Sequence, residues 1–475
     1  STLLASSAAS DVYKRQALAL ALDYERGKFK IHKELAVKIR HANMLNHNMV
    51  SFPLINYSTD DSIASYALIN MNLNEILSDL TLRKKLFALD EEKIYWTPRF
   101  IHLNELYYCV FYFYVGNGKS LIRSDNEKVF QSYLKMNSLS DKIPNPIIYD
   151  EDRKYKNWNI SRKDVRVLNY LHKGDSKIGL VNTKIREKDV LNTLLHPEKG
   201  ITVEKKQSLY KLLNVAKEQK IKYLIFPEFY MPALWLNDIG EFAKKSGITI
   251  ISGLQYITCN KNAYNIICVL ASTCGNSFFK NIIPFFREKN YYAPDERLEL
   301  AALGYNCFNP QEAEYYLLSD QNVSFSTILC FEFTDIASRA IMKGDLDFLC
   351  VPQLNRDTNY FSSIVESAAR DLHTLVVQAN TSIYGDSRIT GPYKTDYKDV
   401  LKIKGGENEL LIVGKLKTKE LQEFREKYYV EYEKQVQKCM NCKKIHSIEQ
   451  MDMYCRKCKN KKNKGKIKGL PPNWR

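Results

Sequence analysis

Three side chains stand out for their chemical type and for where they fall. Glu228 lies in "IFPEF", Lys289 in "REKNYYAPDE" and Cys330 in "STILCFEFTD", each just after an apolar, strand-like run. A thiol attacks as its thiolate, so it needs a base or a cation beside it. A carboxylate can take the thiol proton and later return it to a leaving amine. An ammonium can stabilise an oxyanion. Together the three supply what attack on the carbon of a C–N bond requires. Open α/β sheets place ligands beyond the carboxyl ends of their strands, where these residues would sit. Each residue also has a plainer reading. Glu228 could cap the segment after Pro227, and Cys330 could be a core thiol or a metal ligand. Lys280 in "SFFKNIIP" competes with Lys289, because it too precedes a proline and a glutamate, Glu288. Lys289 is favoured because Lys280 lies inside a strand candidate.

The elements that must position these residues begin near 165, where short apolar runs alternate with amphipathic ones. Strand candidates are "KIGLVN" (177–182), "YLIFPE" (223–228) and "ITIISGL" (248–254), separated by helices over 203–219 and 234–246. "NAYNIICVLAS" (262–272) and "SFFKNIIPFFRE" (277–288) flank Gly275-Asn276, a hairpin signal. Further strands are expected at "VSFSTILCF" (323–331), "LDFLCVP" (346–352), "TLVVQAN" (374–380) and "ELLIVGKL" (409–416), with a helix over 360–372. Alternation with hairpins implies layered α/β structure, with a mixed sheet or paired sheets.

Residues 165–420 resemble a carbon–nitrogen hydrolase of the nitrilase superfamily. The matches are "YLIFPEF", "KNYYAPDE", "STILCFEFTD", "GDLDFLCVPQLN" and "ARDLHTLVVQANTSIYGDSRITGP", in the order of that family. The resemblance implies an αββα sandwich of the nitrilase type, commonly dimerised, so a homo-oligomer is expected. It implies Glu228 as general base and then acid, Lys289 on the tetrahedral intermediate, and Cys330 as the nucleophile forming a thioester that water hydrolyses. Glu296, seven residues after Lys289, would orient the lysine or Glu228. No cofactor is needed for such catalysis, and the substrate would be a small amide, carbamoyl compound or nitrile. Asn355 and Asn380 are strand-end polar groups expected to contact it. Tyr291 and Tyr292 would wall the pocket or pack in the core, and Tyr292 is taken as a substrate contact. Glu332 either lines the pocket or begins the following helix, while Gly385 and Ser387 shape a loop. The aromatic, basic "NIIPFFREKNYYAP" departs from the plainer "YRK" run of many members and leaves the substrate class open.

The flanks carry other signals. A chain of 475 residues, 45% of them hydrophobic, has room for two or three domains and a sizeable core. It has no apolar run of about 18 residues, so no membrane span is expected. The net charge of +16 is concentrated at one end: residues 434–475 hold thirteen Lys/Arg against Glu449 and Asp452. Of eleven cysteines, Cys109, Cys259, Cys268, Cys274, Cys307, Cys330 and Cys350 are scattered in mostly apolar contexts, as in a reducing cytosol. A cytoplasmic location follows as the expectation. Cys439, Cys442, Cys455 and Cys458 form two CxxC pairs twelve residues apart, the spacing of a Cys₄ zinc ribbon or knuckle, with His446 as a substitute ligand. Residues 434–475 are therefore read as a structural zinc module with a basic tail. "KCKNKKNKGKIKG" (457–469) is either a solvated run or a contact for nucleic-acid phosphates.

Residues 1–16, "STLLASSAASDVYKRQ", resemble a sequencing-adapter scar, on which reading the chain is expected to be a carboxy-terminal fragment. Residues 17–160 read as a helical region, with "FIHLNELYYCVFYFYV" (100–115) as one helix and a linker over 141–159. "YSTDD" (57–61) has the paired aspartates of a polymerase metal site at the wrong spacing, so a solvated loop is preferred. Helical material ahead of a nitrilase-like domain resembles bacterial reverse transcriptases fused to nitrilase domains in antiphage defence, although no polymerase motif is present. The alternative function is thus a nitrilase-like binding or assembly module of a nucleic-acid-associated protein.

Overall fold

A computed structural model describes residues 147–169, 176–259, 261–274, 280–320, 323–407 and 409–426, the short strands 50–54 and 95–99, and six positions between 107 and 121. In chain order the elements are β1 (Val50–Leu54), β2 (Tyr95–Arg99), β3 (Ile147–Tyr155), β4 (Ile160–Val167), β5 (Ser176–Asn182), α1 (Glu187–Leu195), α2 (Val203–Glu218), β6 (Tyr223–Ile225), α3 (Leu236–Ser246) and β7 (Thr249–Gly253). There follow β8 (Ile257–Cys259), β9 (Asn262–Tyr264), β10 (Ile266–Cys274), β11 (Lys280–Glu288), α4 (Pro294–Ala302), β12 (Asn306–Cys307), β13 (Ala313–Asp320) and β14 (Val323–Thr327). The last are α5 (Ile336–Ala340), β15 (Phe348–Pro352), α6 (Thr358–Leu372), β16 (Leu375–Ala379), β17 (Ser387–Thr390), β18 (Asp399–Ile403) and β19 (Leu410–Leu416).

Two large sheets carry the molecule. One has the order β11-β10-β7-β6-β5-β19 and the other β18-β17-β16-β15-β14-β13-β4-β3. Their central strands, such as β6, β7, β15 and β16, are buried on two faces, which is why these read as continuous apolar runs. On β10, Ile266, Cys268 and Leu270 pack with α2 and α3, whereas Ile267, Val269 and Ala271 face the second sheet. Tyr223, Phe325 and Phe348 join the sheets, with ring centroids 4.9–5.4 Å apart. Behind the second sheet, α6 buries Phe361, Ile364, Val365, Ala368, Ala369 and Leu372 against Leu349, Val351 and Val376. That spacing is one helical face. Asp357 starts the helix by accepting a hydrogen bond from Tyr360 N at 3.1 Å. Three cores thus separate four layers: helices, sheet, sheet, helices. Among the described residues no helix is long and apolar enough to cross a membrane.

The Gly275-Asn276 signal agrees with the antiparallel pairing of β10 and β11, from Ile266↔Glu288 to Cys274↔Lys280. Two boundaries need correction. The linker expected over 141–159 is, from Ile147, strand β3, paired antiparallel with β4 along the sheet edge. Its charges mislead because an edge strand keeps one face in water and tolerates them. The sandwich therefore starts upstream of 165, and it continues past 420. Residues 418–426 are helical, Leu421 is buried between the sheets, and Arg425 pairs with the buried Asp347. In the region expected to be helical, β1 and β2 pair antiparallel instead. Tyr107, Tyr108, Phe111 and Val115 are helical and buried, and Phe111 stacks on Phe286 at 4.0 Å; the rest of the span 100–115 lies outside the described residues. The scar expected over 1–16, "YSTDD", and the proposed zinc module with Cys439, Cys442, Cys455 and Cys458 lie outside the described residues.

Candidate active site

Strands β5, β6 and β7 are mutually parallel, and β11 runs in the same direction because it is antiparallel to β10, itself antiparallel to β7. In the second sheet β14, β15 and β16 are parallel. Glu228 follows β6, Lys289 follows β11, Cys330 follows β14 and Leu354 follows β15. All four lie beyond carboxyl ends of their strands.

Glu228, Lys289 and Glu296 form a buried charge cluster. Lys289 Nζ is 3.0 Å from Glu228 Oε1 and 2.6 Å from Glu296 Oε2. Asn265 Nδ2 donates to Glu228 Oε1 at 2.8 Å and to Glu296 Oε1 at 2.9 Å, so its amide bridges the two carboxylates. Tyr256 OH donates to Glu296 Oε1 at 2.7 Å. The second oxygen of Glu228 accepts from Leu354 N at 3.1 Å, and the carbonyl of that residue lies 3.9 Å from Cys330 Sγ. Leu354 therefore meets the carboxylate through its N–H and the thiol through its carbonyl, which belong to consecutive peptide units.

The backbone at these positions is constrained. A Cβ on Gly253, at the end of β7, would lie 2.6 Å from Glu228 Cα, so only glycine lets the two strand ends approach this closely. Phe229 and Cys330 both have left-handed backbones, at φ 59° and 47°, where side chains other than glycine are rare. For Cys330 the sharp turn separates β14 from the 3₁₀ turn Cys330–Thr334.

Electrostatics follow from burial and charge. Burial pushes the Glu228 carboxyl above its ordinary range, and the ammonium of Lys289 opposes this only in part. Burial would depress Lys289, but Glu228 and Glu296 outweigh it and hold the ammonium well above its usual value. Burial and then the charge of Glu228 raise the Cys330 thiol, with Lys289 opposing. At neutral pH the sulfur is thus a thiol, and it must lose its proton as it forms a bond.

The remaining sequence candidates separate. Lys280 is exposed, donates to Lys245 O at 3.2 Å and begins β11, roughly 30 Å of strand from Lys289. Tyr292 is buried below the site, with Lys289 Nζ 5.5 Å from its ring and its hydroxyl 3.1 Å from Asn265 N. Tyr291 packs against the α6 core. Asn380 donates to Asn355 O and Gly385 O and accepts from Asn355 N and Thr381 N. This uses the full capacity of its amide, so it braces the loops and has nothing left for a substrate. Asn355 is half-buried and closes a local turn with Asp357. Gly385 has φ +73 and no room for a side chain against Lys404 O, while Ser387 Oγ accepts from Asn380 N. Glu332 neither lines the pocket nor merely begins a helix: it is fully buried and paired with Arg287 at 2.8 Å. Asn265, Tyr256 and Arg287 escape the sequence reading. Asn265 had a weak signal, a polar residue between Tyr264 and Ile266 in a mostly apolar strand candidate, whereas Arg287 stands in a charged run with Glu288 and Lys289.

No family model and no curated protein matches the chain. Solved structures of the carbon–nitrogen hydrolase superfamily are similar to it. XC1258 from Xanthomonas campestris, a CN-hydrolase superfamily protein solved with an arsenic adduct in its active site, is 13% identical, with a TM-score of 0.40 over 54% of this chain and 96% of that one. An amidase from Nesterenkonia sp. is 16% identical, with a TM-score of 0.37 over 56% of this chain and 99% of its own.

Proposed function

We propose that this chain hydrolyses a non-peptide C–N bond of a small molecule, an amide, a carbamoyl group or a nitrile, through a thioester on Cys330. The observation that carries the reading is Leu354, whose N–H bonds Glu228 and whose carbonyl meets the Cys330 thiol, with Lys289 on the same carboxylate. Glu228 takes the thiol proton as sulfur attacks the substrate carbon. Lys289 holds the negative charge that develops on the substrate oxygen or nitrogen. For an amide, Glu228 returns the proton to the departing amine, leaving an acyl-thioester. It then removes a proton from water, which attacks the thioester and releases the acid and the thiol. Glu296, Asn265 and Tyr256 orient Lys289 and Glu228. Buried charges of this kind act in a water-poor space, where each interaction is stronger than in bulk water.

The test is ammonia release from a panel of small amides, carbamoyl compounds and nitriles, with intact-mass detection of the acyl adduct. An adduct on Cys330 that is lost in Cys330→Ala supports the reading. Full turnover by that variant overturns it.

The carboxy-terminal spacing favours a second, compatible role. We infer that Cys439, Cys442, Cys455 and Cys458 hold a structural zinc ion and that the lysines after them contact nucleic-acid phosphates, in a cytoplasmic homo-oligomer associated with nucleic acid. About one zinc per chain by elemental analysis, and salt-sensitive RNA or DNA binding that survives Cys330→Ala, would support it. A protein without zinc and without such binding would leave the hydrolase alone. Association with a reverse transcriptase in antiphage defence rests on the sequence resemblance and would be tested by recovering the upstream gene.

A further inference from the structure

Arg287 and Glu332 are buried at 4% and 0% exposure and form a two-pronged ion pair, with Nη1–Oε1 and Nη2–Oε2 both 2.8 Å. Their other bonds fall in a pattern. Arg287 Nη1 donates to Glu288 O at 2.8 Å, and Asn290 N donates to Glu332 Oε1. Those two residues flank Lys289. Arg287 Nη2 donates to Thr327 O at 3.3 Å, and Leu329 N donates to Glu332 Oε2 at 2.7 Å. Those two lie just before Cys330. The guanidinium also sits 4.8 Å over the ring of Tyr315, which closes its face to water.

We propose that the Arg287–Glu332 pair is a positioning clamp that fixes Lys289 against Cys330 across the two sheets. The inference deepens the hydrolase reading and rests on it. Stability alone is a weak reason for such a pair, because a buried ion pair is commonly replaced by apolar side chains of similar size without loss. Geometry is a stronger one. Lys289 and Cys330 belong to different sheets, and the pair bonds backbone on both sides of the gap. It also holds the left-handed turn at Cys330, which lacks the glycine that would adopt it without strain.

The test uses the full chain and needs no knowledge of the substrate. Alkylation of Cys330 by iodoacetamide is followed by mass spectrometry, with Cys330→Ala as the blank. Glu228→Gln and Lys289→Met are controls for the hydrolase reading. If neither slows labelling, that reading fails independently of the clamp. If they do slow it, Arg287→Lys, Glu332→Gln and the apolar pair R287M/E332L address the clamp. A clamp predicts roughly tenfold or greater slowing in both single variants, since small misplacements of reacting groups have large kinetic effects. It predicts equally slow labelling in R287M/E332L even where its melting temperature matches the wild type. In Arg287→Lys, which keeps the charge, the plateau of the pH–rate curve falls while its midpoint stays. Wild-type labelling in the folded single variants, or in R287M/E332L, overturns the clamp. So does a shifted midpoint with an unchanged plateau, which would make the pair a purely electrostatic neighbour.

Discussion

At Cys330 the thiol is raised by burial and by the charge of Glu228, so the resting nucleophile is protonated. Proton removal and attack are then coupled, with Glu228 as the base, since Leu354 bonds its carboxylate through the N–H and meets the thiol through the carbonyl. The acylation rate is expected to rise with pH through the elevated pKa of Glu228, because only the ionised carboxylate accepts a proton. Glu228→Gln should lower the rate by about 10²-fold or more and flatten that rise. Cys330→Ala should abolish turnover and leave the melting temperature near that of the wild type. Ammonia release across pH 5–9 and a thermal melt check all three statements.

At the scale of elements, the site depends on strand ends that approach more closely than side chains allow. Gly253 is the clearest case, since a methyl group there would collide with the backbone of Glu228 and Phe229. Gly253→Ala is expected to displace Glu228 from Lys289 and reduce turnover by about 10²-fold, the effect of an ångström-scale misplacement. The measurement is kcat against KM on the substrate found above. A fall in kcat with a stable fold is expected, and an unchanged kcat would mean that the strand ends can part without cost. The 3₁₀ turn at Cys330 obeys the same logic, with backbone bonds to Glu332 taking the place of a glycine.

At the scale of the whole molecule, the described N-terminal positions are built into the sandwich. Leu121 N and Ser120 Oγ donate to the two oxygens of Glu288, at 2.6 and 2.7 Å, and Phe111 stacks on Phe286. Burial pushes the Glu288 carboxyl to about 7, with those two hydrogen bonds opposing. Its folded pKa is raised, so its contribution to stability is full below the ordinary carboxylate value and is lost as pH rises through about 7. Glu288→Gln should remove this loss and make the protein more stable at pH 8 by up to about 3 kcal/mol, read from urea unfolding at pH 5 and pH 8. A second prediction concerns boundaries. A chain cut to begin at residue 165 loses β3 and most of β4, exposing the edge of β13. It should aggregate, whereas one beginning at residue 101 should stay monodisperse in size-exclusion chromatography.

Local sequence determined the kinds of element, their order and the ends on which Glu228, Lys289 and Cys330 sit. The period of apolar residues reports burial and is set by each strand's own geometry. It also placed the β10–β11 hairpin, a local event. Only the tertiary structure decided who meets whom. The bonds from Asn265 to Glu228, from Arg287 to Glu332 and from Leu354 to Glu228 span 37, 45 and 126 residues. It separated Lys289 from Lys280, turned Asn380 from a substrate contact into a loop brace, and made a charged stretch after Ile147 an edge strand. Alternation says which face of a strand a side chain occupies. What lies opposite that face depends on how two sheets stack and on which register they adopt, and those are properties of the packed chain.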